Sequence, residues 1–206
     1  MTQENLEVTN FDPFIGNKYE EQDFKLLILG ESHHFDKNEC EEFQEEPQKY
    51  KNITQEVLEA YFKYKNGEEP FKAWMNTFTR FANIYKNDNL SGDQSEEFWN
   101  TVSFYNYVQT PVDSARKSPT EEQFKNSHES FVKIVDQLKP NLIIVWGFRL
   151  WTKMQKNEHL KKGEIDFYCN IPVIVIPHPS SSTFDYTYAK AHFFENYIDK
   201  IKKHSS

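Results

Sequence analysis

The chain has 206 residues, of which 37% are hydrophobic and 16% aromatic, and it carries a formal net charge of -8. This length suits one domain, or one domain with a large insertion, and the aromatic residues can fill a core or supply stacking surfaces. Most nucleic-acid-binding proteins are basic, so the acidic balance weighs against DNA as a partner. It does not exclude DNA, because a groove lined by helix N-termini and a few lysines can still bind phosphates.

The cysteine content and the hydropathy pattern indicate a protein of the reducing cytoplasm. Cys40 and Cys169 are too few for a disulfide scaffold or an all-cysteine metal site, and we expect two thiols. No apolar run approaches the ~20 residues of a membrane span. The first ten residues lack the apolar core of a signal peptide. We therefore expect a cytoplasmic location and no membrane partner.

Three aliphatic runs, taken in chain order, predict strands that are buried on both faces of a parallel sheet. They span residues 25–30 (KLLILG), 140–147 (PNLIIVWG) and 171–180 (IPVIVIPHPS). Each is continuously apolar, partly β-branched, and ends at or next to Gly or Pro, which is typical of such strands. An aromatic run at residues 101–109 (TVSFYNYVQ) fits a strand or a helix by its period.

Helical patterns separate these runs. Residues 120–140 predict a helix that begins at the N-cap Thr120, with Gln123 as its capping-box partner, and ends at Pro140. Residues 184–204 predict a C-terminal helix with a basic last turn.

The alternation of strands and helices predicts an α/β fold with a parallel sheet. We expect three layers, α/β/α, around a central, mostly parallel four-stranded sheet. Residues 1–206 are expected to form a single domain in which residues 38–100 are a largely helical insertion.

Two of the predicted strands end in ionisable side chains. The first is followed by residues 30–34 (GESHH), and the last aliphatic run ends in residues 177–180 (PHPS). Ligands bind at the carboxyl ends of parallel strands, so both motifs are expected at one edge of the sheet. A Gly directly after a strand allows a ligand close to the backbone, and a His between two prolines is held rigidly.

The residues alone leave several kinds of site open. The carboxylate and imidazoles of GESHH, with His178, could ligate a metal, although adjacent His residues on an extended segment point to opposite sides. Ser32 or Ser180 could be a hydrolase nucleophile beside a His. GESHH is not the G-x-S-x-G elbow of hydrolases, and the chain contains neither a P-loop nor a G-x-G-x-x-G motif.

The order of these motifs resembles the uracil-DNA glycosylase superfamily, and most closely its small single-domain bacterial branches. Those enzymes carry G-E-x-P-G or G-Q-D-P-Y after the first strand, then an Asn-bearing strand, and a final H-P-S motif. The counterparts here are GESHH (30–34), FYNYVQTP (104–111) and HPSSS (178–182). Residues 111–147 also follow the family pattern of Pro, Arg, Pro-Thr, an acidic helix, Leu-x-Pro and an aliphatic strand that ends in Gly.

Three substitutions in the first motif distinguish this chain from the standard uracil enzyme. The third residue, a water-activating Asp in the best-known branch, is Ser32 here. The fourth, a Pro, is His33, and the fifth, a Tyr that excludes the methyl group of thymine, is His34. The iron–sulfur branches use four Cys, and two cannot hold that cluster. The site is therefore tuned differently, and a modified pyrimidine remains open as substrate beside uracil.

The resemblance implies a monofunctional DNA glycosylase that extrudes a uracil or modified pyrimidine from DNA and hydrolyses its bond to the sugar. The DNA could be single- or double-stranded, and the role repair or anti-phage defence. No cofactor or metal is expected, and we expect a monomer. The alternatives are a non-catalytic nucleic-acid or nucleotide-binding module and a small-molecule hydrolase on the same fold.

The resemblance also implies roles for individual residues. His178 would hydrogen-bond the departing base, and Asn106 would read its Watson–Crick edge. Glu31 would position the attacking water, with His33 or Asp36 as substitutes. The base pocket would be formed by Gly30, Ser32, His34 and Phe35, and the Phe35 ring could stack on the base. The DNA would be contacted by Ser180, Ser181, Ser182 and Phe184, and either Phe184 or Tyr186 could fill the space left by the flipped base. The hydroxyl residues 180–183 are expected at a helix start that could bind a phosphate or serve as a plain capping loop.

Overall fold

The computed structural model describes residues 9–114, 117–154, 159–162, 165–182 and 184–189. The strands are β1 (Phe14–Ile15), β2 (Leu26–Gly30), β3 (Ser103–Asn106), β4 (Leu142–Trp146), β5 (His159–Lys162), β6 (Ile165–Tyr168) and β7 (Ile171–Ile176). The helices are α1 (Lys37–Glu45), α2 (Ile53–Lys65), α3 (Met75–Lys86), α4 (Gly92–Asn100), α5 (Glu121–Asn126), α6 (His128–Leu138), α7 (Phe148–Lys153) and α8 (Tyr186–Ala189), with a 3-10 turn at Pro47–Tyr50.

The described strands form one sheet in the order β1-β3-β2-β4-β7-β6-β5. The four central strands, β3, β2, β4 and β7, are parallel, which confirms the predicted α/β class and parallel centre. The expected count of four strands was too low, because β1 pairs antiparallel with β3 and the β5–β6 hairpin pairs antiparallel with β7. These edge strands are short and lack an aliphatic run, so hydropathy does not indicate them.

Helices cover both faces of this sheet. One hydrophobic cluster packs α2, α3 and α4 on one face, through side chains that include Leu58, Phe81 and Trp99. A second cluster packs α6 and its neighbours on the other face, through side chains that include Phe131 and Leu138. The buried strands β2 and β4 are apolar on both faces because both faces are covered. The helical segment 38–100 thus supplies most of one layer.

The predicted helix over 120–140 is two helices, α5 and α6, which are separated at Ser127. Thr120 and Gln123 form the expected capping box at the start of α5. The Ser127 hydroxyl donates to the Gln123 carbonyl at 2.7 Å and accepts from the Gln109 N–H at 2.9 Å. This side chain therefore ends one helix and ties the next to the segment after β3.

The C-terminal helix begins at Tyr186, and residues 190–204 of the predicted helix lie outside the described residues. None of the helices in the described part of the chain is both long and apolar enough to cross a bilayer.

Candidate active site

The segments after β2 and β3 remain paired beyond the ends of the strands. The Val108 N–H donates to the Glu31 carbonyl at 2.8 Å, and Val112 exchanges backbone hydrogen bonds with His33 and Phe35 at 2.9 and 3.0 Å. Because β2 and β3 are parallel, their carboxyl ends meet here. The backbone of the GESHH motif is therefore fixed by the sheet.

Gly30 is the residue that allows a side chain to lie across the end of β2. It stands opposite Asn106 in the parallel register. A Cβ at Gly30 would lie 2.2 Å from Asn106 Oδ1 and 2.9 Å from the Phe104 ring. A side chain at position 30 would displace the Asn106 amide. Glycine is therefore required here for the close approach of Asn106 and not for a turn.

His33 is buried behind this amide. Its Nε2 lies 3.1 Å from Asn106 Nδ2 and 3.1 Å from Thr54 Oγ1, and its ring packs edge-on against Phe11. An amide nitrogen can only donate, so Nε2 accepts and the proton is on Nδ1. Burial, reinforced by the nearby His34, lowers the pKa of His33 to about 3. The imidazole is neutral and serves to orient Asn106.

The Glu31 carboxylate is held by an arginine that sequence reasoning missed. Arg149 Nε donates to Glu31 Oε1 at 2.8 Å, and Arg149 Nη2 donates to Glu31 Oε2, so the two side chains form a bidentate salt bridge. The same guanidinium also contacts the Ser118 hydroxyl. This pairing raises the pKa of Arg149. The available sequence signal was the motif WGFR, directly after a buried strand that ends at the site.

His34 is the exposed imidazole of the first motif. Desolvation lowers the pKa of His34, and the positive charge of Arg149 lowers it further. A hydrogen bond with the Ser114 backbone and the negative charge of Glu31 act in the opposite direction. His34 therefore lies within electrostatic reach of the Glu31–Arg149 pair.

His178 follows β7 and is held in one tautomer. The Ser180 backbone N–H donates to His178 Nδ1 at 3.2 Å, and the Ser180 hydroxyl lies 2.7 Å from the same nitrogen. Because a backbone N–H can only donate, Nδ1 presents its lone pair and the ring proton is on Nε2. The Ser181 N–H donates to the His178 carbonyl at 2.8 Å and closes the turn. The turn thus fixes His178 as a donor through Nε2.

His178 shares its surroundings with the groups that follow β2 and β4. Desolvation lowers its pKa; the charge of Glu31 acts in the opposite direction, and Arg149 and His34 lower the pKa further. Gly147 has a positive φ of 104°, and a Cβ there would lie 3.8 Å from the His178 Cβ. The ends of β2, β4 and β7 therefore bring Glu31, Arg149 and His178 together, with His34 beside them.

Two residues expected at the site have other partners. Phe35 is 7% exposed and packs on Phe43 and Tyr50, with the Tyr50 ring centroid 4.7 Å away. Asp36 is the N-cap of α1, where its carboxylate accepts from the Glu39 N–H at 2.9 Å in a capping box. Phe35 thus lies in a buried aromatic cluster and Asp36 caps a helix, and the stacking role of Phe35 and the water-positioning role of Asp36 stay predictions.

The Ser32 hydroxyl oxygen is buried and has no hydrogen-bond partner in the part of the chain that the structure describes. A buried hydroxyl without a partner is costly, by about 1–3 kcal/mol. It lies in the residue that replaces the family's catalytic Asp.

The expected DNA-contacting segment is a turn rather than a helix start. Ser180 and Ser182 are exposed, and Ser181 is partly buried. The helix α8 starts later, where Asp185 Oδ1 accepts from the Thr187 N–H at 2.8 Å. Phe184 is partly buried against the core cluster of α2–α4, and its role as a wedge stays a prediction. Thr183 lies outside the described residues.

The described residues contain no group of three or more His, Cys, Asp or Glu placed to hold a metal ion. The His33 lone pair already accepts from Asn106, so this imidazole cannot also ligate a metal.

The fold and the site define an α/β protein in which an imidazole that presents Nε2–H and a fixed amide lie at the carboxyl ends of parallel strands. The family model of the uracil DNA glycosylase superfamily matches residues 18–202, nearly the whole chain, and the chain belongs to this superfamily. Membership supports a DNA glycosylase-type function. No curated protein matches the sequence.

Proposed function

We propose that the protein is a DNA glycosylase that hydrolyses the N-glycosidic bond of a flipped uracil or modified pyrimidine. The observation that carries the proposal is the tautomer of His178. The Ser180 N–H takes the Nδ1 lone pair, so Nε2 must present its hydrogen. This donor sits in a chain that belongs to a DNA glycosylase superfamily.

A neutral donor suits the chemistry of base release. Cleavage leaves an oxocarbenium-like sugar and places negative charge on the departing base. A preorganised N–H aimed at the pyrimidine O2 gains strength as that charge develops, so it stabilises the transition state more than the ground state. The lowered pKa keeps His178 neutral near pH 7.

Asn106 is proposed to read the Watson–Crick edge of the base. His33 takes one of its amide N–H groups, so the orientation of the amide is fixed. Its Oδ1 then remains as an acceptor for the N3–H of a uracil-like ring, with the second N–H as a donor to O4. Among the described residues, no donor lies within hydrogen-bond distance of Oδ1.

Glu31 is proposed to position the attacking water. Arg149 holds both of its oxygens, and each carboxylate oxygen retains a further lone pair that can accept from water. The buried Ser32 hydroxyl has no partner among the described residues, and a hydrogen bond to the same water is proposed to satisfy it when DNA is bound. His33 and Asp36 remain the alternatives, although His33 Nε2 already accepts from Asn106 and Asp36 Oδ1 from the Glu39 N–H, which favours Glu31.

His34 is proposed to face the C5 substituent of the base. It is exposed and lies near Glu31 and Arg149, so this corner of the site is polar and charged. A polar corner favours a substituent that can hydrogen-bond over the methyl group of thymine. The base is therefore proposed to be uracil or a pyrimidine with a polar modification.

The DNA strand is proposed to contact the exposed hydroxyls of Ser180 and Ser182. Phe148 is 55% exposed and directly follows Gly147 at the same edge, so it joins Phe184, which is partly buried, as a candidate aromatic contact. We further propose a cytoplasmic monomer that needs no cofactor and acts in repair or anti-phage defence.

One contact favours a second function, a small-molecule hydrolase. The 2.7 Å approach of Ser180 Oγ to His178 Nδ1 is that of a nucleophile and its base. Ser180→Ala separates the two functions, because it removes the hydroxyl but keeps the backbone N–H. A hydrolase would lose its turnover with model esters, whereas the glycosylase is expected to lose less than about tenfold in base release.

The proposed function is tested with oligonucleotides that each contain one uracil, thymine or C5-modified pyrimidine, in single- and double-stranded form. We expect abasic sites from uracil or from a modified base and none from thymine, with the same rate after a chelator is added. Binding to DNA without any abasic product would instead identify a non-catalytic module.

A further inference from the structure

The peptide group between Pro179 and Ser180 makes a hydrogen bond at each of its ends. Its N–H, from Ser180, donates to His178 Nδ1 at 3.2 Å. Its carbonyl, from Pro179, accepts from Arg80 Nη1 at 3.0 Å. A single peptide plane therefore connects an arginine of α3 with the imidazole that follows β7.

Both bonds act in the same direction on the imidazole. A guanidinium that binds a carbonyl polarises the peptide group and makes its N–H a stronger donor, as in other hydrogen-bond chains. A stronger donor at Nδ1 favours the neutral ring with its proton on Nε2. The bond to the carbonyl also fixes the rotation of the peptide plane and hence the direction of the N–H.

We propose that Arg80 is a positioning residue for His178, and that it acts through the Pro179–Ser180 peptide to hold the imidazole as an Nε2–H donor. This inference rests on the proposed function, because it assigns Arg80 a part in the same base-release step. It also gives a task to the helical segment 38–100: α3 covers one face of the sheet and brings a cation to the turn after β7.

The sequence offers no signal for this role, since Arg80 lies in α3, about a hundred residues before the turn, in the motif NTFTRF. Its neighbours Phe78 and Phe81 pack into the core and fix the rotation of α3 about its axis. Core packing therefore determines where the guanidinium lies.

The test compares Arg80→Met and Arg80→Lys with the wild-type protein, and with Lys86→Met as a matched control. Lys86 ends the same helix and carries the same charge, but its ammonium lies over the Phe98 ring. The first measurement is the pKa and tautomer of His178 by nitrogen-15 NMR of the histidine rings in the free protein. The second is single-turnover base release and the KM for DNA.

Arg80→Met is expected to raise the pKa of His178 by ~0.5 unit or more and to increase the fraction of its Nδ1–H tautomer. It is expected to lower kcat about tenfold with little change in KM, within the loss that a misplaced catalytic group causes. Arg80→Lys should restore part of both effects, and Lys86→Met should show neither. The charged and titratable groups that face His178, namely Glu31, Arg149 and His34, are the same in all four proteins.

An unchanged His178 tautomer and pKa in folded Arg80→Met would overturn the inference, whatever the activity. Equal effects of Arg80→Met and Lys86→Met would also overturn it, because they would show a general charge effect. The NMR measurement needs no substrate, so a protein that releases no base would count against the proposed function while Arg80 is still tested.

Discussion

The His33 imidazole lies between Asn106 and Thr54, where it is neutral and nearly inaccessible to water. Both contacts use the ring nitrogen Nε2, so its protonation would break the hydrogen bond with the Asn106 amide nitrogen, which can only donate, while the Thr54 hydroxyl could turn to accept. The residue that fixes the proposed reader of the base is therefore also a point of acid sensitivity in the fold.

Lowering the pH from 7 to 4.5 is expected to destabilise the protein in part through His33. Its pKa is about 3 in the folded protein and near 6.5 in the unfolded chain, so the unfolded chain binds the extra proton between these values. The contribution of His33 to the free energy of unfolding is therefore fully present above pH 6.5 and is lost as the pH falls toward 3. The His33 share over this range is roughly 2–3 kcal/mol.

Urea unfolding of the wild-type protein and His33→Gln at pH 7 and pH 4.5 measures that share. The glutamine can still accept from Asn106 but does not titrate, and the carboxylates and other histidines are common to both proteins and cancel. We expect the pH-dependent loss to be smaller in the variant by this amount. Equal losses would show that His33 is not buried as a neutral group.

His34 differs from His33 in being exposed beside the charged pair, and it is the imidazole that we propose to face the C5 substituent of the base. His34→Ala is expected to slow release of a pyrimidine with a polar C5 group by about fivefold and release of uracil by less, since one lost hydrogen bond costs about 1 kcal/mol. Side-by-side release from matched oligonucleotides measures the ratio. If the ratio of the release rates of the modified base and of uracil does not change, His34 does not recognise the C5 group and unmodified uracil is the expected substrate.

At the scale of the elements, the proposed reading of the base depends on how closely β2 and β3 approach at their carboxyl ends. Gly30→Ala would place a methyl group 2.2 Å from Asn106 Oδ1. The amide must then rotate away from His33, so we expect base release to fall about a hundredfold, as misplacement of a catalytic group can cause. Single-turnover release by the folded variant is the measurement.

Gly67→Ala is the matched control for this change. Gly67 has a positive φ of 79° and open space around its Cβ position. The substitution is expected to cost roughly 1 kcal/mol in the free energy of unfolding and to leave base release unaffected. Equal activity losses in both glycine variants would indicate a general folding effect instead of a local one at Asn106.

The sequence predicted the strands that are buried on both faces of the sheet. It did not predict the elements that are fixed by strand pairing or by a contact with a distant segment. The strands β2, β4 and β7 are continuously apolar because helices cover both faces, so hydropathy alone indicates them. The outer strands are held by pairing, β1 with β3, β6 with β7 and β5 with β6, and hydropathy does not report such pairing. The split between α5 and α6 depends on one side chain, Ser127, bonding to a distant segment.

The same limit applies to the site. His178 and Glu31 follow strands directly, so their place at the sheet edge could be predicted from position. The partners that determine their chemistry, Arg149 for Glu31 and Arg80 for the turn that holds His178, come from other elements. The contacts of His33 with Asn106 and Thr54 could not be predicted, because these residues are distant from it in sequence.

For the whole molecule, the net charge of -8 repels the phosphates of a DNA substrate. Binding is expected to be local, through phosphate contacts at the site edge, so affinity should fall steeply with salt, with a log–log slope near -0.9 per contact on duplex DNA. A fluorescence titration of labelled oligonucleotide at several salt concentrations measures the slope. A flat titration would favour a small-molecule substrate.

The central claim is that His178 stabilises the departing base as a neutral Nε2–H donor, and the most direct measurement is single-turnover base release by His178→Ala on the best substrate of the oligonucleotide panel. Losing one such donor is expected to slow release roughly a hundred- to a thousandfold, while DNA affinity changes little, because the hydrogen bond strengthens only as charge develops. A loss of less than about twofold, with the variant folded and bound to DNA, would contradict the mechanism and remove His178 from it.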